Sequence, residues 1–317
     1  MRIALFVLRR VAALVVTLLV ASVAIYGVLE IAPGDPAALL AGGHVPDPAT
    51  LAAIRREFHL DDPFVVRYVH WLGGFVTGDL GQSMVFRDSV AHLLGSRVVT
   101  TLMLVVYAGL LILVLGVGLG ILGALGGKRV NTAVTVGTTV AMGAPTFVIA
   151  IVLIWLFATT LTWLPVYGTG TGFGDRMLHL TLPAIALSFT FIAYVTRITR
   201  AAVAEELRSD HVDTARSRGI PGHLVIRRHV LRNATPSILT VSGVTIAGLV
   251  AGTAVAEDAF GVNGIGSLLV QSAARQDLAV VQAISLFVVA AFVVINTIVD
   301  ITNAVLDPRL ARSGATA

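Results

Sequence analysis

The sequence predicts an all-α polytopic membrane protein with six transmembrane helices. Three observations carry this. Hydrophobic residues make up 56% of the 317-residue chain and charged residues 13%, against roughly 45–50% and about 25% in a soluble domain. Apolar runs of about 20 residues, the length a bilayer requires, recur along the chain. Arginine and lysine gather in alternate connections between those runs. The spans are expected at Leu8–Leu29, Val98–Leu125, Val134–Leu161, Leu178–Val203, Ser237–Ala256 and Leu278–Leu306. Lipid offers the backbone no hydrogen-bond partner, so each is expected as a helix.

The first run follows a basic start, Met1 to Arg10, and Ser22-Val23-Ala24 looks like a signal cleavage site. The apolar run continues to Leu29, enough to cross a core of about 30 Å, so an uncleaved first helix is expected. Residues 1–30 are therefore read as a cytoplasmic N-terminus and first span. Residues 31–97 form a long outer segment, and 98–317 the core with the other five spans. Pro33-Gly34-Asp35-Pro36 stops the first helix, because proline cannot donate and glycine permits a turn. Ala49–Phe58 reads as a short amphipathic helix with Asp47 as its cap. Asp62-Pro63 starts another, with Phe64, Tyr68 and Trp71 as a membrane-facing aromatic stripe. Gly78-Asp79-Leu80-Gly81 reads as a turn. Within the core, Gly116-x3-Gly120, Gly123-x3-Gly127 and Gly248-x3-Gly252 let helices approach closely. Pro145 is expected to bend the third span.

Basic residues set the orientation. Arg2, Arg9 and Arg10 precede span one, and Lys128 and Arg129 link spans two and three. Arg197, Arg200, Arg208, Arg216, Arg218, Arg227, Arg228 and Arg232 lie at or between the ends of spans four and five; Arg309 and Arg312 follow span six. All fall on one side of a six-span chain, which the positive-inside rule makes cytoplasmic, both termini included.

Several chemistries are excluded. The chain has no cysteine, which rules out disulfides, thiolate catalysis and cysteine metal sites. Gly126-Gly127-Lys128 ends like a phosphate loop, but the upstream glycine is Leu122 and Arg129 replaces the Ser or Thr. No His-Glu-x-x-His or Gly-x-Ser-x-Gly occurs. His179 reads as interfacial, and so do Glu257 and Asp258 at the outer end of span five. Asn296, Asp300 and Asn303 fall on one face of span six, a stripe expected to face the bundle through interhelical hydrogen bonds. No cofactor, metal or nucleic-acid partner is expected. A secondary transporter would need a polar relay and usually repeats. An intramembrane enzyme would need a catalytic constellation. Neither is legible.

One stretch stands apart. Val212–Asn233, VDTARSRGIPGHLVIRRHVLRN, carries five arginines around a Gly-Ile-Pro-Gly break. Glu206 to Arg218 reads as one helix, closed by Gly219, where a left-handed residue is needed. Pro221-Gly222 reverses the chain, and a second helix starts near His223. A short capped helix of this kind, lying on the membrane surface, suits docking into a groove of a soluble partner.

Asp213-Thr214-Ala215-x3-Gly219 resembles the "EAA" motif of inner-membrane permease subunits of ATP-binding-cassette importers, with Asp213 where the motif has Glu. His229-Val230-Leu231-Arg232-Asn233-Ala234-x-Pro236 resembles the extension found in their dipeptide, oligopeptide and nickel branch. So do Leu60-Asp61-Asp62-Pro63-x3-Arg67-Tyr68-x2-Trp71, Gly78-Asp79-Leu80-Gly81-x-Ser83, Glu257-x2-Phe260-x3-Gly264-x-Gly266 and Asn296-x3-Asp300-x6-Asp307-Pro308-Arg309. Val262-Asn263 departs from the usual Trp-Pro. The resemblance covers nearly the whole chain, and its nearest pattern is the B-type subunit of a dipeptide permease. It implies a non-catalytic subunit of the bacterial inner membrane. The implied partners are a second permease, two ATPase domains that hold ATP and magnesium, and an extracytoplasmic binding protein. It also implies a cytoplasmic coupling helix at about 206–222, with coupling on Glu206, Asp210, Asp213, Thr214, Ala215, Arg216 and Gly219. Short peptides are the implied substrate; nickel, glutathione and haem-type ligands use similar permeases.

Overall fold

The computed structural model describes residues 2–31, 47–57, 61–83 and 85–306. Expectations on Pro33–Pro36, Phe58, Leu60, Asp307-Pro308-Arg309 and Arg312 lie outside the described residues. Within them the chain is helical apart from turns and one small hairpin. Helix α1 spans Arg2–Ile31, α2 Pro48–Glu57 and α3 Phe64–Thr77. Strands β1 (Gln82–Ser83) and β2 (Asp88–Ser89) pair antiparallel. Then come α4 (Val90–Leu125), α5 (Lys128–Gly143), α6 (Thr146–Thr160), α7 (Gly172–Glu206), α8 (Asp210–Ser217), α9 (Gly222–Ala259), α10 (Ile265–Ala274) and α11 (Leu278–Leu306). Five of these helices are long and apolar enough to cross a membrane, or six if α5 and α6 count as one broken span.

The core forms around α7, against which α4, α5, α6 and α9 all pack. Leu104 and Ile112 of α4, Leu182, Leu187 and Val195 of α7 and Leu249 of α9 are fully or almost fully buried in one cluster. Small residues make the closest crossing possible. A Cβ on Gly120 would lie 2.6 Å from the Thr199 Cβ, and Gly116 and Gly123 also touch α7. Gly127 and Gly248 touch nothing, and the tight approach of α9 is instead at Gly243, against Val299 of α11. Glycine spacing marked the α4 seam at Gly116, Gly120 and Gly123 and a looser contact of Gly252 with Leu187 of α7, but missed the tight approach at Gly243, because such pairs look alike in sequence. Pro183 and Pro236 lie inside α7 and α9 without ending them.

Pro145 does more than bend its span. Ala144 leaves the helical region at φ −90° and ψ 117°, Pro145 starts α6, and α5 and α6 meet at 100°. Proline disfavours helical geometry in the residue before it and supplies no N–H, so the two halves separate there. Thr190 of α7 donates to the freed Ala144 carbonyl at 3.4 Å.

The outer segment is built on polar caps and aromatic contacts. Asp47 accepts from the Thr50 N–H at 2.6 Å, which holds its carboxyl below the usual carboxylate range. Phe64, Tyr68 and Trp71 surround Tyr26 of α1 at ring centroid distances of 5.5, 5.8 and 5.3 Å. The Ser22 and Tyr68 hydroxyls are 2.7 Å apart. The rings of the expected stripe thus clasp the first helix, each pair contributing about 0.5–1.5 kcal/mol beyond burial. Gly78 and Gly81 take φ of +88° and +84°, as a turn there requires. Ser83 then donates to Asp277 just before α11, both buried, and Phe86 lies under the Arg275 guanidinium. These contacts seat the hairpin on the start of the last helix.

Candidate functional site

Helix α7 does not run on through Arg218. It ends at Glu206, because the Ser209 hydroxyl takes the Glu206 carbonyl at 2.6 Å and Ser209 itself is extended, at φ −79° and ψ 147°. Ser209 is the N-cap of α8, accepting Val212 N–H at 3.0 Å through its carbonyl. This corrects the single helix expected over Glu206 to Arg218; Glu206 closes the membrane helix rather than opening the polar one.

The other end of α8 is fixed by two backbone bonds. Ile220 N–H reaches the Ala215 carbonyl at 3.3 Å, and Gly219 N–H reaches the Arg216 carbonyl at 2.9 Å. That nested pair is the Schellman arrangement, which needs a left-handed residue at Gly219; its φ is +74°. A Cβ on Gly219 would meet nothing within 4 Å. The demand on this position is conformational, not steric.

Two side chains pin the helix to the rest of the molecule. Val212 and Ala215 are buried with Val203 of α7 and Val225, Val230 and Ala234 of α9, and Ile220 packs against the same cluster. The remaining surface of α8 is exposed and polar, with Asp210, His211, Asp213, Thr214, Arg216 and Ser217, and Arg218 follows as its C-cap. Arg216 is 3.4 Å from Asp213, an exposed pair of the kind that contributes little. Thr214 donates to the Asp210 carbonyl at 2.8 Å. Glu206 differs from this set: its Oε2 is buried and points to His211 Nε2 at 3.4 Å. Of the seven residues marked in sequence, Asp210, Asp213, Thr214, Arg216 and Gly219 share the exposed face and its cap. Ala215 and the Glu206 Oε2 turn inward.

The polar stripe of the last helix divides. Asp300 pairs with Arg10 of α1 at 2.8 Å. Asn303 is buried and donates to Thr240 of α9 at 2.8 Å. Asn296, half-buried, donates to the Phe292 carbonyl of its own helix. Asp300 and Asn303 thus make the expected interhelical contacts, each to a different helix, while Asn296 on the same face turns to its own backbone.

The profile of the binding-protein-dependent transport system inner membrane component matches residues 116–312, and its N-terminal companion matches residues 3–105. The chain belongs to this permease family. Curated relatives include the "Probable peptide ABC transporter permease protein y4tP" of Sinorhizobium fredii, 34% identical over 96% of this chain and 98% of that protein. The glutathione transport system permease protein GsiC of Escherichia coli O6:H1 is 33% identical over the same shares. Among solved structures, the MetNI methionine ABC transporter in inward-facing conformations aligns with a TM-score of 0.50 at 16% identity, over 70% of this chain and 95% of that one. That likeness concerns the fold. The permease is thus a multi-pass inner-membrane subunit of an ABC importer, which sets aside the secondary-transporter reading.

Sequence reasoning placed Glu257 at the interface, and the permease buries it completely. Thr101 of α4 donates to its Oε1 at 2.6 Å, and the Ser267 N–H donates to its Oε2 at 2.9 Å. The same Thr101 oxygen accepts Ile265 N–H at 2.9 Å. Glu257 therefore caps the start of α10, where a carboxylate also complements the helix dipole. A Cβ on Gly264 would land on that carboxylate, and one on Gly266 would reach the Ala254 backbone at 2.6 Å. The Glu-x6-Gly-x-Gly spacing was the signal: two glycines clearing room for one acid.

Proposed function

We propose that the permease pairs with a second, related permease subunit and that their interface forms the path for short peptides across a bacterial inner membrane. Six spans cross: α1, α4, the broken pair α5–α6, α7, α9 and α11. Both termini and α8 face the cytoplasm. The segment from α2 to the hairpin faces outward, where a binding protein delivers substrate. Separate subunits carry two ATPase domains with their ATP and magnesium, and this chain contributes no catalytic group. Helix α8 is the coupling helix. Closure of the ATPases moves its charged face, and Val212 and Ala215 pass that motion to α7 and α9.

The observation that supports this most is the construction of α8: set off from α7 by the extended Ser209, closed by the Schellman turn at Gly219, pinned by two buried side chains, and charged on the exposed face. Such a projection transmits force because it cannot unwind into its links. Peptide substrate is supported by the names of the relatives from Sinorhizobium and Escherichia, glutathione being itself a tripeptide.

The test is Gly219→Val. A left-handed β-branched residue costs at least about 1–2 kcal/mol, small against ~5–15 kcal/mol of total stability. The fold survives while the cap reopens. Expected are normal amounts in the membrane, continued ATP hydrolysis by the assembled complex, and peptide uptake reduced about tenfold or more. Gly219→Asn, which tolerates the left-handed region, should keep most uptake. Wild-type uptake by Gly219→Val would refute the coupling role.

A further inference from the structure

The groups around His211 raise a question that docking does not answer. Its Nε2 is 3.0 Å from the Asn233 amide nitrogen of α9, 3.3 Å from the Ser209 hydroxyl and 3.4 Å from Glu206 Oε2 at the end of α7. The His229 ring of α9 lies 6.4 Å away, centroid to centroid. Asn233 can only donate through its amide nitrogen, so Nε2 must then be bare and accept. Glu206 can only accept while ionised, so Nε2 must then carry a proton. One nitrogen cannot serve both. In the observed arrangement Asn233 holds it, and Glu206 Oε2 is buried with no hydrogen-bond partner.

We infer that His211 is a positioning residue for coupling, a latch that ties α8 to α9 through Asn233 when neutral and to α7 through Glu206 when protonated. Imidazole is the side chain whose charge ordinarily changes between about pH 5 and 8. The groups facing the ring from each packed element are Glu206 from α7, Ser209 from the link, and Asn233 and His229 from α9. A buried carboxylate oxygen without a partner is costly, and protonation of His211 removes that cost. The inference rests on the coupling reading of α8 in one respect: a change in the seat of α8 matters only if α8 couples.

The experiment uses the complete complex with its ATPase subunits made cysteine-free. This chain contains no cysteine, so spin labels at Ser217→Cys on α8 and Ala201→Cys on α7, both exposed, report the seat of α8 directly. Between about pH 8 and pH 5.5 the label separation should shift in the otherwise unaltered chain. It should stay fixed in His211→Gln, which can hydrogen-bond but cannot take up a proton, and in Glu206→Gln. The ratio of ATP hydrolysis in His211→Gln to that of the unaltered complex cancels the ATPases' own pH profile. That ratio should change several-fold over the same range. A separation that ignores pH, or one that shifts equally in His211→Gln, overturns the latch. Gly219→Val distinguishes the two levels: if it uncouples while the separation ignores pH, the latch alone falls. If the separation follows pH but Gly219→Val transports normally, α8 does not couple, and His211 loses its role in coupling.

Discussion

Glu257 has no exposed surface, and each of its carboxylate oxygens has a donor from a different element. Truncating it would leave the Thr101 hydroxyl and the Ser267 N–H without an acceptor. Each buried unsatisfied group costs about 1–3 kcal/mol. Glu257→Ala is therefore expected to lower the melting temperature of the purified complex by several degrees and to loosen α10. Gly264→Ala should do the same for a different reason, since its new Cβ would collide with the carboxylate. Equal thermal stability in both variants would show that the cap does not hold the outer end together. The acid at 257 was visible in the sequence, but its burial was not. Glu257 stands at the end of an apolar run, where lipid headgroups and a buried glycine-lined niche look the same. What separates them is the pairing with Thr101, 156 residues away.

At the scale of elements, local chemistry was the legible part. Gly219, Pro221 and Gly222 located the end of α8, and Asp47 located the start of α2. Asp47 also yields a pH prediction. Its carboxyl is held below the usual range by the Thr50 N–H. A lowered value in the folded state means the cap contributes at neutral pH, and is lost as pH falls through that lowered value. Amide protection in α2 should therefore fade in acid below the normal carboxylate range, and Asp47→Asn should fade less. A protection pattern that is flat through that range in the original chain would contradict the cap. The sequence separated a span ending at Val203 from a helix starting at Glu206, but the break itself lies just after Glu206, and it was not legible there because Glu206 to Arg218 has adequate helix spacing throughout. A single hydroxyl, Ser209, ends the helix by taking the Glu206 carbonyl, and serine occurs in helices too often to announce this.

For the whole molecule, composition and the recurring apolar runs gave the membrane class, and ordered motifs gave the family. Helix partners were not readable: that α1 lies along α11 with Arg10 on Asp300 depends on the closed bundle. The proposed orientation is open to a direct check. Single cysteines at Asp61 and Ser217, both exposed, should react with an impermeant maleimide from opposite sides of the inner membrane. Labelling of both from one side would reverse or break the topology. The elbow between α5 and α6 has a consequence of its own. Two helix ends meet at Gly143–Pro145, and both of those residues are exposed, with Thr190 covering the Ala144 carbonyl. Hydrocarbon does not tolerate open backbone of that kind. If the elbow lies at membrane depth, this stretch of the wall must be wet or covered by another chain, a notch in an otherwise oily surface.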